Sequence, residues 1–392
     1  MAAGEKPYRV YRGGRTKGKV PLQRRVDAPR RDTGRRDGAP PDGGRSVHRR
    51  QRRRWSWKRR IGVGLIVLLF VLVVWGVAGY LALRSGVSSA HERLPAGTQS
   101  ALTKQNGLLL SHTSTILLLG TDHSSLAARA TDKHSDSIML LRTDPGRHRL
   151  VYLSIPRDLR VSIPGHGDDK INAAFQLGGP TLAIRTIADF TGLPVNHIVI
   201  VDFGDFESLI DKVGGIDINV PEPILSNRFD CPYSSSSRCQ QWQGWRFRKG
   251  VQHMNGHRAL IYSRIRENRL NPAESDVTRG ERQQQVMQAL LSKMSGPGMF
   301  FRLPFVGGDL LKPITTDLSE NDFLQLGWIK FRAGSVLHCR LGGTDQGGGY
   351  LTSSEDNLNV IQMVQGNSAP QPPKPGSGPY GAGCVTGPQQ FK

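Results

Sequence analysis

The longest apolar stretch of the chain runs from Ile61 to Leu83 without a charged residue. At the rise per residue of a helix, a stretch of this length spans about 34 Å, enough to cross a bilayer core with slight tilt. A secretory signal would have a shorter apolar region followed by a small-residue cleavage site. The pattern therefore predicts a transmembrane helix over residues 61–83.

Residues 84–111 are polar and are predicted to form a stalk. Beyond them, short apolar runs alternate with helical patterns. The predicted strands are Thr115–Leu119, Ser137–Leu141, Leu150–Ile155, His197–Phe203, Ile216–Val220 and Val336–Leu341. The predicted helices are Pro180–Phe190, Asp205–Val213, Asn321–Phe331 and Asn357–Val364.

This alternation predicts an α/β fold, with α/β/α layers around one mixed central sheet over residues 112–365. Residues 366–392 are rich in Pro, Gly and Ser and are predicted to be a flexible C-terminal tail.

Positive charge is concentrated before the apolar stretch. Residues 1–60 hold 21 Lys and Arg against five Asp and Glu, and they are poor in large apolar residues. They cannot bury a core and are expected to be disordered. The positive-inside rule places them in the cytoplasm and residues 84–392 outside. The basic tail then serves as a topology signal that contacts anionic lipid, and a nucleic-acid partner is not expected.

Four cysteines lie in the part of the chain predicted to face the oxidising side. Three pairings are possible, and the local one, Cys231–Cys239 with Cys339–Cys384, is preferred. A zinc site is the weaker option, because neither pair has the tight Cys-x-x-Cys spacing.

The densest cluster of arginines is Tyr262-Ser263-Arg264-Ile265-Arg266, followed by Asp276, Arg279, Arg282 and Gln283. The alternation of Arg264 and Arg266 is typical of a strand or an extended turn, whereas the later group follows helical steps of three and four. Arginine presents a planar fork of donors that matches phosphate oxygens. A single Asp-x-x-Arg is usually a solvated helix pair, so residues elsewhere must decide its role.

Polar residues at the ends of the predicted strands supply that context. Asp122 follows the first strand, Asp136 opens the second, and Arg157-Asp158 follows the third, with Lys170 in a nearby loop. Ligands of open α/β sheets gather at strand ends, so these groups are expected to converge on one cleft. Taken alone, Asp122 is typical of a turn or cap residue, and Arg157-Asp158 is typical of a local surface ion pair.

Other catalytic motifs are absent from the sequence. It contains no Gly-x-Ser-x-Gly elbow, no P-loop and no His-Glu-x-x-His.

A series of short motifs, taken in order, resembles the LytR-CpsA-Psr family of bacterial cell-envelope proteins. The motifs are Ile116–Asp122, Ser135-Asp136-Ser137, Ser154–Asp158, Lys170–Phe175, Gly178-Gly179-Pro180, Val201-Asp202-Phe203, Val213–Ile216, Tyr262–Arg266, Asp276, Arg279 and Arg282-Gln283-Gln284. The resemblance covers residues 113–295, and it is the ordered set that makes it specific.

The resemblance implies a phosphotransferase anchored by a single membrane span. Such an enzyme would move a glycopolymer from a polyprenyl-pyrophosphate carrier to a peptidoglycan hydroxyl, forming a phosphodiester and releasing polyprenyl phosphate. By similarity, Asp122 and Asp136 would hold Mg²⁺ or Mn²⁺ or orient the waters bound to it. Arg157, Arg264, Arg266, Arg279 and Arg282 would bind the pyrophosphate, with Asp276 and Gln283 completing the site. The lipid tail would occupy an apolar slot between sheet and helices.

Two positions depart from the pattern of many relatives, which carry arginine where this chain has Ser124 and His134. The alternative interpretation is a non-catalytic binder or regulator, an attenuator, of lipid-linked envelope polymers.

Overall fold

The computed structural model describes residues 56–105, 107–121, 135–202, 206–227, 231–233, 235–265, 267–271, 276–377 and 380–387. For Asp136 and Asp276 it describes the backbone alone. The chain divides into two units, Met1–Trp57 and Lys58–Lys392, and nearly all described residues belong to the second.

The described helices include the predicted ones and several more. They are α1 Trp57–Glu92, α2 Thr98–Ala101, α3 Ala173–Thr191, α4 Phe206–Lys212, α5 Ser236–Gln241, α6 Gly256–Arg264, α7 Asp276–Met294, α8 Pro297–Leu310, α9 Glu320–Arg332 and α10 Asn357–Gln365. Among them α1 alone is long and apolar enough to cross a membrane. Its apolar part contains the predicted span, and it is consistent with single-pass anchoring.

The strands form one large sheet and several two-stranded ribbons. They are β1 Ser114–Thr121, β2 Ser135–Asp144, β3 Arg149–Ile155, β4 Arg160–Ile163, β5 Gly167–Lys170, β6 His197–Asp202, β7 Ile216–Val220, β8 Ile224–Leu225, β9 Arg246–Phe247, β10 Gly250–Met254, β11 Ile314–Thr316, β12 Ser335–Arg340, β13 Gly343–Asp345, β14 Leu351–Ser353 and β15 Gly383–Thr386.

Seven strands build the central sheet in the order β11-β6-β1-β2-β3-β12-β15. The β1–β6 and β3–β12 pairs are parallel and the other pairs are antiparallel. The prediction of a mixed sheet is therefore confirmed.

Helices cover both faces of this sheet because its central strands are apolar on both sides. On β1, Ile116 and Leu118 belong to a core shared with α1, α7, α8 and α9. The alternate residues Leu117 and Leu119 belong to a second core shared with α3 and α10. The α/β/α layering predicted from the sequence is confirmed.

Two predicted segments are more ordered than expected. The stalk predicted over residues 84–111 packs on the rest of the protein, because Val87, Ala90 and Leu109 are buried in the core. The prediction of a flexible tail over residues 366–392 is wrong for β15. That strand pairs with β12 and carries the buried Cys384.

Both predicted disulfides are confirmed, Cys231–Cys239 and Cys339–Cys384. The second joins β12 to β15, so the C-terminal part of the chain is attached covalently to the sheet. This bond explains why a Pro- and Gly-rich segment ends in a sheet strand.

Candidate functional site

One edge of the central sheet collects the ends of four strands and the start of a fifth. Thr121, the last residue of β1, pairs with Ser135 at the start of β2 and with Asp202 at the end of β6. On the other side of the sheet centre, Arg340 at the end of β12 pairs with Ser154 near the end of β3. Residues that follow these strands therefore emerge at the same edge, as predicted.

A β-bulge marks the point where β1 and β2 reach this edge. Gly120 pairs with Ser137 and Thr121 pairs with Ser135, so Asp136 is the extra residue on β2. Bulges frequently redirect the chain beside functional sites. Asp122 follows β1 directly, but it lies outside the described residues, as do Ser124 and His134.

Within the described ranges no group of three or more His, Cys, Asp or Glu side chains forms a metal cluster. Because the side chains of Asp122 and Asp136 are not described, the metal ligands stay a prediction.

A chain of charges follows β3 at the same edge. The Arg157 Nε donates to Asp158 Oδ2 at 3.3 Å, and Lys170 Nζ donates to Asp158 Oδ1 at 2.9 Å. Lys170 also lies 5.1 Å from the ring centre of Tyr350. Arg157, Asp158 and Lys170 therefore lie together at this edge, and their convergence with Asp122 and Asp136 stays a prediction.

A small cavity of about 50 Å³ lies between the start of β2, the end of β3 and the N-terminal half of α7. Its lining includes Arg157 and Asp158 from the sheet side and Gly280, Glu281 and Gln284 from the helix. The first turn of a helix exposes unpaired N–H groups and the positive end of the helix dipole. The cavity therefore lies beside the N-terminal part of α7, with Arg157 on its opposite side.

The predicted helix over Asp276–Gln283 is confirmed as the start of α7. Arg279, Arg282 and Gln283 are all buried there, at steps of three and four. Arg282 Nη1 donates to the Ile265 carbonyl at 2.7 Å. Within the described part of the chain the buried Gln283 Oε1 accepts no hydrogen bond. A buried acceptor of this kind normally has a donor, and a bound ligand can supply one.

The segment before Arg266 is helical, which corrects the expected strand or extended turn. Asn255 caps α6 by accepting a bond from the Arg258 N–H at 3.0 Å, and the helix continues to Arg264. The C-cap residue Ile265 departs from helical geometry, with φ −60° and ψ 124°. The side chain of Arg264 is exposed, and Arg266 lies outside the described residues.

Tyr262 connects α6 to α7. It is fully buried, its hydroxyl donates to Gln285 Oε1 at 2.6 Å, and the Arg282 guanidinium lies 6.0 Å from its ring centre. Burial raises the pKa of Tyr262 to about 12, so this group is a neutral donor that holds the two arginine-bearing helices together.

An ion pair at this edge, between a buried arginine and a partly buried glutamate, was not predicted from the sequence. Glu281 pairs with Arg340, whose Nε also donates to the Gly381 carbonyl at 3.0 Å. Burial raises the pKa of Glu281 above its ordinary value, and Arg340 partly offsets this effect. Both residues line the small cavity. The available signal was that Arg340 lies near the end of the predicted strand Val336–Leu341 and Glu281 lies between two motif arginines.

An apolar cavity of about 300 Å³ lies behind the polar edge, between the sheet and α7, α8 and α9. Its lining includes Met287, Leu290, Leu291 and Met294 from the later turns of α7. Ile116, Leu118, Leu141 and Leu150 line it from the sheet, and Leu303 and Leu324 from α8 and α9.

Helix α7 thus joins two chemically different regions. Its first turns carry buried arginines at the strand-end edge, and its later turns line the apolar cavity. Such an arrangement suits an amphiphile with an anionic head and a long apolar tail. Arg157 lines the small cavity, and Arg279, Arg282 and Gln283 are buried on the first turns of α7. That these residues act together on one ligand stays a prediction.

The family comparison matches the LytR_cpsA_psr family model over residues 77–362. The chain is 30% identical over 270 residues to the polyisoprenyl-teichoic acid–peptidoglycan teichoic acid transferase TagV of Bacillus subtilis. That match covers 68% of this chain and 66% of the relative. The chain is also 33% identical over 214 residues to the regulatory protein MsrR of Staphylococcus aureus. This second match covers 54% of this chain and 58% of that protein.

Among solved structures, the fold resembles that of TagT bound to LIIa-WTA. The TM-score is 0.53 at 25% identity, and the match covers 69% of this chain and 96% of the other.

Proposed function

The chain belongs to the LytR_cpsA_psr family, and on that premise we propose that it is a membrane-anchored glycopolymer–peptidoglycan phosphotransferase. The glycopolymer would arrive on a polyprenyl-pyrophosphate carrier. The oxygen of a peptidoglycan sugar hydroxyl attacks the phosphorus that bears the glycopolymer, and the bridging P–O bond of the pyrophosphate breaks. Polyprenyl phosphate leaves, the hydroxyl proton passes to base or water, and a phosphodiester remains.

The observation that carries the proposal is the continuity of α7 from the polar edge to the apolar cavity. Arg279 and Arg282 are buried on the first turns of α7, and Met287 and Leu290 farther along the same helix line the cavity. A polyprenyl pyrophosphate has the matching division, with a charged head and an apolar tail. Relatives named as teichoic acid transferases support the same reaction class.

Charge neutralisation and positioning are the main needs of phosphoryl transfer. In this proposal Arg157, Arg264, Arg266 and Arg279 bind the pyrophosphate oxygens. Arg282, which donates to the Ile265 carbonyl, also fixes the segment between Arg264 and Arg266. Asp276 and the buried Gln283 amide complete the polar end.

Mg²⁺, or Mn²⁺, is proposed to be held by Asp122 and Asp136. The strand pairing supports two neighbouring carboxylates. Thr121 pairs with Ser135, and these two residues directly precede Asp122 and Asp136. Two carboxylates with substrate phosphates are a usual way of binding Mg²⁺, and the ion would neutralise charge on the phosphates.

The proposed topology places residues 1–60 in the cytoplasm and residues 84–392 outside. The support is the excess of Lys and Arg before Ile61. A reporter that is active only outside the cytoplasm, fused after Lys392, should be active. A silent reporter on a well-expressed full-length fusion would reverse the orientation.

The transferase is tested with the full-length protein in lipid vesicles containing Mg²⁺, a lipid-linked glycopolymer analogue and peptidoglycan fragments. Release of polyprenyl phosphate together with a phosphodiester-linked product, both identified by mass spectrometry, is the expected result. Mass spectrometry of lipid that copurifies with the protein would identify the native glycopolymer.

A non-catalytic role as a binder or regulator is the second candidate, since the relative MsrR is named a regulatory protein. That role predicts retention of the intact lipid-linked polymer without release of polyprenyl phosphate. The same vesicle assay separates the two, because a binder holds the substrate and leaves the pyrophosphate bond intact.

A further inference from the structure

Helices α8 and α9 leave a group of large apolar side chains exposed. We call it the α8–α9 face, and its members are Phe301, Phe305, Leu324, Trp328 and Phe331. Phe305 is 75% exposed and Phe331 is 78% exposed. The three residues on α9 recur at steps of four and three, so they share one side of that helix. Water is a poor environment for a cluster of this size, and such clusters mark interaction surfaces.

The face stands beside the apolar helix α1. Leu303 of α8 packs against Gly79, and the Phe305 ring meets the Trp75 ring edge-to-face with 5.3 Å between centroids. Gly79 and Trp75 precede Leu83, the end of the charge-free stretch, by four and eight residues. At the rise of a helix these residues lie about 6 and 12 Å inside that end.

Several further contacts hold α8 and α9 against α1. Gly307 of α8 lies so close to α1 that a Cβ on it would be 3.0 Å from the Leu83 nitrogen. Arg93 donates to the Leu311 and Ile314 carbonyls at 2.7 and 2.6 Å. The Tyr80 hydroxyl donates to Glu320, the first residue of α9, at 3.2 Å. The two helices therefore follow α1 wherever it is placed.

We propose that the α8–α9 face is seated among the acyl chains of the outer leaflet, beside the membrane span. The occupant of the surface is phospholipid, because the contacts with Trp75 and Gly79 place α8 within the depth of the apolar stretch of α1. This inference rests on the proposed function for the side of the membrane on which the domain lies.

The seating also explains how a lipid-borne substrate reaches the protein. Leu324 is 49% exposed on the face and also lines the apolar cavity. The cavity therefore borders the lipid-facing surface. A prenyl tail can move between bilayer and cavity sideways, without crossing water, which would cost free energy for every exposed CH₂ group.

The test uses single-cysteine labels on the full-length chain. All four native cysteines are paired, so an introduced cysteine is the only free thiol. Phe331→Cys carries an environment-sensitive fluorophore on the face. Leu358→Cys is the matched control, because Leu358 on α10 is 77% exposed on the opposite side of the sheet. Both proteins are reconstituted in phosphatidylcholine vesicles.

Doxyl-labelled lipid should quench the Phe331→Cys label at least about threefold more than the Leu358→Cys label, as expected for side chains inserted at the acyl boundary. Aqueous iodide should show the reverse order. Both labels share one mixture of orientations, so the comparison does not depend on how the chain inserts. Phe301→Cys provides a second position if Phe331→Cys does not fold.

Iodide quenching of the Phe331→Cys and Phe301→Cys labels equal to that of Leu358→Cys would overturn the membrane seating. The measurement needs no turnover. A chain without transferase activity can still show lipid contact, and an active chain with water-exposed labels would refute the seating alone.

Discussion

Arg282 donates a hydrogen bond of 2.7 Å to the carbonyl of Ile265, the residue between Arg264 and Arg266. The guanidinium is buried under the Tyr262 ring, so one motif arginine holds the backbone that carries two others. This contact connects α7 to the end of α6. The motif arginines therefore have different roles. Arg282 is buried and positions the backbone, whereas Arg264 is exposed at the surface.

Arg282→Met should lower both stability and transfer. The substitution leaves the Ile265 carbonyl without this donor, at a cost of about 1–3 kcal/mol in the free energy of unfolding. Urea unfolding followed by circular dichroism measures it. Lys293→Met is the control on the same helix, since its partner Asp217 lies 3.9 Å away on a partly exposed surface. An Arg282→Met protein as stable as the wild type would remove the positioning role.

The two disulfides should differ in their effect on stability. Cys339 and Cys384 are buried and 45 residues apart, whereas Cys231 and Cys239 are eight apart. Chain-entropy arguments give about 4 kcal/mol for the longer loop and about 2.5 kcal/mol for the shorter. The Cys339→Ala/Cys384→Ala protein should therefore melt lower than the Cys231→Ala/Cys239→Ala protein. Calorimetry compares them, and the opposite order would contradict a structural role for β15.

Stability should fall as the pH drops from about 6.5 to about 4. Burial lowers the pKa of His338 to about 4, because the ring is stacked on Tyr152 with centroids 5.3 Å apart. The unfolded chain takes up a proton below its ordinary pKa of 6.5 and the folded chain does not, so acid favours unfolding by at most about 3 kcal/mol.

His338→Phe should flatten that pH slope, and His166→Phe, which alters an exposed histidine, should leave it unchanged. Urea unfolding at several pH values provides the measurement. An unchanged slope in the His338→Phe protein would show that another group causes the loss.

The packing of α1 on α8 depends on Gly86. A Cβ at this position would lie 2.7 Å from the Gly307 carbonyl oxygen, whereas a Cβ at Gly76 would meet nothing within 4 Å. Gly86→Val should therefore lower the melting temperature of the full-length protein in vesicles by several degrees, as expected for an overpacked site costing about 1–3 kcal/mol. Gly76→Val should leave it unchanged, and equal melting of the two variants would refute the close contact.

The sequence predicted the sheet well because its strands are short apolar runs with polar ends, as in Leu150–Ile155. It did not predict α8, because Pro304 and Gly307 interrupt the helical pattern. That helix is held by tertiary contact with α1, which no local signal reveals. β15 was missed for a similar reason, since Cys384 and its pairing with β12 order a segment of turn-like composition.

The candidate site was predicted where chemistry and spacing coincide. Arg279, Arg282 and Gln283 follow helical steps and are brought together on α7. The alternation of Arg264 and Arg266 was misleading, because the Asn255 cap starts a helix that runs through Arg264. Arg340 lies far from the motifs along the chain and reaches the site only through the β3–β12 pairing.

The central claim is that the motif arginines bind the pyrophosphate during transfer, and polyprenyl phosphate release measured beside melting temperature tests it most directly. A lost contact to a charged group is worth about 1.5–3 kcal/mol, so Arg264→Ala should slow release by roughly ten- to a hundredfold. Arg264→Lys should not restore the full rate, because lysine lacks the bidentate fork. Because Arg264 is exposed, the melting temperature of Arg264→Ala should equal that of the wild type. Arg185→Ala is the control at another exposed arginine, and it should retain the wild-type rate. Wild-type release by both Arg264→Ala and Arg266→Ala would contradict the proposed site.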